Sequence, residues 1–185
     1  MSAVLIAAGP LGLAYSFAMP KKPEVAMTFA LGSLLCLDAN GEVAFNVPDK
    51  SPKAIRAQIR NLKNQMLAQL PNEAEQPEHT LINGVYTRIL RIRKGQVLIG
   101  KIHKKECVNI VAKGDISVLT EHGSGRIKAG HVAVSGPGIQ KIGYAHEDTI
   151  FINVSRTDQT DIEKIEQEIA SEDDSEKEPV CLLHG

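Results

Sequence analysis

The sequence predicts a mainly β protein with helical appendages, an α+β arrangement. Three observations carry this. From Leu81 to Arg156, short β-branched runs (VYTRILRI, QVLIGKIH, VNIVAKG, DISVLTE, HVAVSG, TIFINVSR) alternate with Gly-containing turns. Turn signals recur about every eight to ten residues, the texture of an antiparallel sandwich or barrel. One long stretch, 51–70, has helical spacing instead. With 43% hydrophobic residues, 4% aromatic residues and no Trp, aliphatic side chains must fill the core.

Residues 1–24 read as an apolar N-terminal arm. Gly9-Pro10 and Gly12 interrupt it, and the unbroken part is far shorter than the roughly 20 residues a membrane span needs. Lys21 and Lys22 follow the apolar part, the wrong side for a secretory signal. No transmembrane segment is expected. A packed or partner-bound arm is expected, with weak membrane contact as the lesser alternative. Cys36, Cys107 and Cys181 are widely spaced and form no CxxC pair, so a reducing cytosol or a disulfide-free assembly is expected.

Residues 25–70 hold a hairpin and a helix. Asp38-Ala39-Asn40-Gly41 turns an apolar run into EVAFNV, where Val43, Phe45 and Val47 alternate with smaller or polar residues. Ser51 then offers an N-cap and Pro52 suits the first turn. Ile55, Ile59, Leu62, Met66 and Leu70 form an apolar stripe, and Pro71 ends it. The polar face carries Lys53, Arg56, Arg60 and Lys63 without any acid. It is either a contact surface for an acidic partner or a solvated face of a helix packed on its own domain. Four charges are too few to specify nucleic acid, so no nucleic-acid partner is expected.

Residues 71–80, PNEAEQPEHT, read as a linker, and residues 81–157 as the β domain. Residues 158–170 predict a short acidic helix capped by Thr160 or Asp161, with a stripe of Ile162, Ile165 and Ile169. Residues 171–185 predict a disordered acidic tail. Between Asp158 and Glu178 ten acids face two lysines, a charge of −8, while the rest of the chain carries +7. Opposite charges on body and tail allow self-association or shielding of the basic body; a merely solvated tail is the plainer reading.

The segment from Gly95 to Val154 resembles a cupin, a double-stranded β-helix or jelly-roll barrel. Gly95 stands at the first motif glycine and His103 at the second histidine. Gly114 turns KGDISVL into the next strand, Ser135-Gly136-Pro137-Gly138 matches the Pro-x-Gly turn in shape, and AHEDTIFINV resembles the final turn and strand. The combination GVYTR, GKIHKKEC, KGDISVLTE and GYAHEDT is similar to small cupin-like domains of tailed-bacteriophage virion or tail proteins. The resemblance implies a virion protein found in the particle or the host cytoplasm.

The same resemblance implies a metal site that this sequence lacks. The first histidine position is Lys101, and the glutamate position, seven before Gly114, is Cys107. Glu106 is displaced by one residue, which on a strand means the opposite face. The second-motif histidine falls near Gln140 or Lys141. A structural zinc takes four ligands and a catalytic one three, and only His103, Cys107 and His146 are candidates here. No metal or other cofactor is expected. His103, Cys107, Asn109 and Lys141 remain as pocket candidates.

No G-x-S-x-G elbow, P-loop or dinucleotide fingerprint occurs, and no catalytic residue is assigned. The leading expectation is a non-catalytic structural protein of a phage particle that associates with itself or with other virion proteins. The alternative is a cupin enzyme or small-molecule-binding protein that uses the barrel pocket, with or without a metal.

Overall fold

The computed structural model describes residues 5–7, 14–18, 34–38, 42–69 and 76–171. Eight strands form the body: β6 (Val85–Ile92), β7 (Gln96–Gly100), β9 (Cys107–Lys113), β10 (Asp115–Thr120), β11 (Gly123–Lys128), β12 (Val132–Ser135), β13 (Ile142–Ala145) and β14 (Thr149–Arg156). They lie in two antiparallel sheets, ordered β12-β9-β14-β6 and β7-β13-β10-β11. The chain crosses repeatedly from one sheet to the other. That strand order is a jelly roll, the double-sheet solution to the edge problem of antiparallel folds.

Period-two alternation sets which residues face between the sheets. Along β6, Tyr86, Arg88, Leu90 and Ile92 are buried while their neighbours are half-buried or exposed. Phe151, Asn153 and Ser155 do the same along β14, and Cys107, Asn109 and Val111 along β9. Leu90, Ile92, Val111, Ile116, Ala145 and Phe151 make the inner apolar core.

The turn from β9 to β10 depends on Gly114. Its φ is +92°, in the region that favours glycine, and a Cβ there would stand 2.6 Å from the Asp148 carbonyl oxygen. Asp148 itself accepts from the Lys94 amide at 2.9 Å, so this corner of the barrel is tied across three loops.

A second core lies on the outer face of the β7-bearing sheet. Helix α1 (Pro52–Gln69) lays Ile55, Ile59, Leu62 and Met66 against Val97, Ile99, Leu119 and Ile142. Ser51 Oγ accepts from the Ala54 amide at 3.4 Å, a long capping bond at the expected place. The hairpin β3 (Leu35–Leu37) and β4 (Val43–Phe45), paired Leu35 to Phe45, closes the same layer with Leu34, Leu35 and Phe45. Both strands fall within the segment read as a hairpin, whose turn residues 39–41 lie outside the described residues. Leu70, at the end of the stripe, falls outside the described residues.

One boundary differs from the sequence reading. The strand β5 (Glu78–Ile82) begins inside the segment read as linker and joins β6, because Glu78 to Ile82 can pair through Val85 to Ile89 across a two-residue turn. Asn83 (φ +48°) and Gly84 (φ +80°) supply that turn. In the arm, β1 (Leu5–Ala7) and β2 (Ala14–Ala18) pair with each other, and β2 pairs with β7. These arm residues extend the sheet to six strands.

Helix α2 (Ile162–Ile169) follows β14. Asp161, of the two cap candidates, accepts from the Lys164 amide at 3.0 Å. Ile165, Ile169 and Ala170 pack on Tyr86, and β15 (Ala170–Ser171) pairs with β8 (Ile102–His103). Of the tail 171–185 expected to be disordered, Ser171 pairs in β15 instead, and 172–185 lie outside the described residues. Among the described residues no helix is long and apolar enough to cross a membrane.

Candidate functional site

The space between the two sheets holds a cavity of ≈ 50 Å³. At about 10–15 Å³ per water-sized group, it admits about four such groups. Leu90, Leu98, Ile116, Val118 and Phe151 make its apolar wall. Arg88, His103, Lys141, Asn153 and Ser155 make a polar end, with Lys101 beside them. Ile169 and Ala170 of the α2–β15 segment close one side.

The polar end is one connected chain of side chains. Lys141 Nζ lies 2.8 Å from His103 Nε2, and His103 Nδ1 lies 3.2 Å from Cys107 Sγ. An ammonium has donors only, so Nε2 must accept and Nδ1 carries the ring proton. Cys107 then donates to Asn109 Oδ1 at 3.6 Å. Asn109 Oδ1 also accepts from Asn153 Nδ2 at 2.8 Å, and Asn153 Oδ1 accepts from Arg88 Nη2 at 3.1 Å. Asn109 Nδ2 donates to Ser135 Oγ at 2.9 Å. The chain runs from one buried cation to another.

Electrostatics follow from that placement. Burial, with the Lys141 and Arg88 charges adding to it, pushes His103 down to about 3, so its imidazole is neutral at physiological pH. Burial lowers Lys141 to about 8, with Arg88 adding to the shift and Cys107 and Glu121 opposing it. Burial raises Cys107, which keeps it a thiol. On the α2 side, Glu166 accepts from Tyr86 Oη at 2.8 Å, and Arg88 Nη1 stands 3.8 Å from its carboxylate. Burial raises Glu166 and lowers His79, whose Nδ1 donates to Tyr86 Oη at 2.7 Å. Arg88 Nε, Arg88 Nη1 and Glu166 Oε2 are buried without a hydrogen-bond partner.

A divalent metal does not fit here. Among the described residues no three His, Cys, Asp or Glu side chains converge. His103 spends one ring nitrogen on Lys141 and the other on Cys107. Two cations close by would repel an added ion by several kcal/mol, roughly 4 per unit charge at 4 Å and an effective dielectric of 20. His146, the third candidate ligand, lies with Ser117 (2.7 Å to its Oγ) and edge-on to Tyr144. Both alternate with inward residues on their strands, so His146 belongs to the outer face.

All four pocket candidates, His103, Cys107, Asn109 and Lys141, therefore meet in one network. The basic helix face behaves differently. Arg56 was expected to point outward, but it is buried, 3.0 Å from Glu121, and donates to the Gly138 carbonyl. It is a tie between α1 and the barrel. Lys53 and Arg60 are exposed and Lys63 is half-buried.

Sequence reasoning missed Arg88, Asn153, Ser155 and Glu166. A signal existed for the first three. Arg88 shares a period-two row with Leu90 and Ile92, and Asn153 and Ser155 share one with Phe151, so each is a polar residue in an apolar row. Glu166 carried no such mark, since it is one acid among many in its segment.

No known family description matches the chain, and no characterised protein matches its sequence. Solved structures do resemble it. A cupin-2 domain protein of Shewanella frigidimarina is 14% identical, over 51% of this chain and 92% of the other, with a TM-score of 0.39. A double-stranded β-helix protein of Klebsiella pneumoniae is 18% identical over 49% and 80%, at 0.39. An acetylacetone dioxygenase of Acinetobacter johnsonii is 14% identical over 43% and 58%, at 0.38. These neighbours are cupin-like. The strand order carries the fold by itself, and likenesses this distant carry nothing about chemistry.

Proposed function

We propose that the barrel is a metal-independent binding site for a small organic molecule, and that the protein binds without catalysing. One observation carries this reading: a buried polar chain from Lys141 to Arg88 ends at an apolar-walled cavity. Concave apolar sites with a few placed polar groups are the usual form of small-molecule sites. The neutral His103, held between Lys141 and Cys107, and the protonated Cys107 thiol supply neither a ready base nor a nucleophile, and Lys141, the remaining candidate, commits its ammonium to His103 Nε2 at 2.8 Å. The test is a thermal-shift screen of small acids, amines, alcohols and sugars against the wild type and Val118→Phe, which fills the cavity. Stabilisers that lose their effect in the variant support the reading. A screen in which no compound separates the two proteins rejects it.

A second reading, association with a second copy, is favoured by the outer face of the β12-β9-β14-β6 sheet and its edge strand β5. Val132 and Val134 are 59% and 68% exposed, and Ile82 and Val85 are 62% and 48% exposed. Val134 pairs Val108, which pairs Val154; Val132 pairs Ile110, which pairs Ile152. These rows give an apolar face that α1 leaves uncovered. The basic body and the acidic segment 158–178 of a second copy complement each other in charge. Light scattering tests this: a dimer that Val134→Lys converts to monomer supports it, and a wild-type monomer at high concentration removes it. The phage-particle role belongs to this reading, in the virion or the host cytoplasm. None of the likenesses reported above is to a phage protein, and the copy number in purified virions is its test.

A further inference from the structure

We infer that the barrel ligand is a short-chain monocarboxylate, its carboxylate held at the Arg88–Lys141 end and its hydrocarbon against Leu90, Leu98, Val118 and Phe151. This rests on the small-molecule reading of the same cavity and names the ligand class.

The polar end has more cation than anion and more donors than acceptors. Arg88 is 5% exposed, and an arginine stays charged when buried. Its Nη2 is spent on Asn153 Oδ1, while Nε and Nη1 have no hydrogen-bond acceptor. Buried donors without acceptors are costly, and buried charges are normally paired. Glu166, the carboxylate beside Arg88, does not meet the demand. Its Oε1 takes the Tyr86 hydroxyl and stands 3.8 Å from Nη1, outside hydrogen-bonding range. Lys141 adds a second cation, an ammonium, on the cavity wall, bonded to the neutral His103. Asn109 and Asn153 have their carbonyl oxygens engaged within the chain. The group that completes this end brings oxygen acceptors and one negative charge.

The rest of the cavity selects among anions. Its volume of ≈ 50 Å³ favours a small ligand over a nucleotide or a sugar phosphate. An apolar wall opposite the cations favours an amphiphile over inorganic phosphate, which would leave that wall unfilled and bury a second charge. A carboxylate with two to four carbons is about the size of the four water-sized groups that fit. Arginine suits carboxylates through its planar, multi-donor guanidinium.

Calorimetric titration of the full chain with acetate, propionate, butyrate, butyramide, butylamine and inorganic phosphate tests this. Saturable binding that strengthens from acetate to butyrate is expected, with butyramide, butylamine and phosphate at least tenfold weaker. Lys141→Met is expected to weaken butyrate at least tenfold, and Val118→Phe to abolish it. Arg88→Lys keeps the charge but loses the guanidinium, and weakens binding if it folds; Lys141→Met stands alone if it does not. Butyramide binding as tightly as butyrate, lost in Val118→Phe, would overturn the carboxylate class and leave the small-molecule reading intact. No binding by any probe, together with a screen that finds no cavity-dependent stabiliser, overturns both.

Discussion

Replacing Glu121 tests the tie between α1 and the barrel. The carboxylate is 3.0 Å from Arg56 Nε, and the two side chains are 3% and 8% exposed. Glu121 Oε1 and Oε2 also accept from the Gln140 amide at 3.0 and 3.1 Å. Glu121→Ala therefore removes the carboxylate beside a buried guanidinium, which keeps its bond to the Gly138 carbonyl, and the acceptor of a buried amide. Breaking a buried pair from one side costs about 3–5 kcal/mol, a large share of the roughly 5–15 kcal/mol that holds a domain. Replacing both residues, as Arg56→Met with Glu121→Leu, removes the unpaired charge and leaves the Gln140 amide as the main loss, about 1–3 kcal/mol, with the half-buried Gly138 carbonyl losing its donor as well. The double variant is thus expected to be more stable than Glu121→Ala. Urea unfolding followed by circular dichroism measures this from the midpoints at constant slope. A loss below about 1 kcal/mol for Glu121→Ala, or strictly additive losses across the cycle, would refute the buried-tie argument. It would then restore Arg56 to the solvent-facing basic stripe.

Three further outcomes are expected. Gly114→Ala should lower stability by about 1–3 kcal/mol, since it combines a positive φ with a 2.6 Å approach to Asp148 O; a melting temperature equal to wild type contradicts the turn geometry. Lys141 has its folded pKa lowered to about 8 from the ordinary 10.5, so the unfolded chain binds the extra proton between those values and stability rises with pH there. His103, Cys107, Arg88 and Glu121 face it. Lys141→Met should abolish that part of the pH slope, and identical slopes for the two proteins from pH 8 to 10 argue against a buried ammonium. Chelation should leave the melting temperature unchanged and elemental analysis should find no stoichiometric transition metal; one equivalent of zinc, iron or manganese, lost in His103→Ala, contradicts the donor-set argument.

Much of the fold was legible because it rests on period and punctuation. The alternation in VYTRILRI and TIFINVSR, and Gly114 between two strands, are local signals that survive in the folded protein. The stripe of α1 was equally readable, since burial of Ile55, Ile59, Leu62 and Met66 needs one consistent face. The partners were not readable. Arg56 looks like any surface arginine until Glu121, 65 residues later, is placed beside it. The same holds for the pocket. His103, Cys107 and Asn109 were visible as an inward row near one turn, but their connection to Arg88 passes through Asn153, 44 residues beyond Asn109. Long-range pairing of strands determines such contacts, and a single sequence does not display it.

The lid over the cavity is a short helix borrowed from the acidic end of the chain. Eight residues are too few to hold a helix in water, so α2 exists by virtue of its seat. That seat consists of Ile165 and Ile169 on Tyr86, the Glu168 contacts to Lys105 and Thr157, and the two-residue pairing with β8. Release of such a segment would be a local opening, of the kind that costs less than global unfolding. Fraying of the C-terminal turn would uncover the side of the cavity that Ile169 and Ala170 line. Amide exchange at 162–171 running ahead of β9 and β14, and slowing when the cavity is filled, is the signature of such a door.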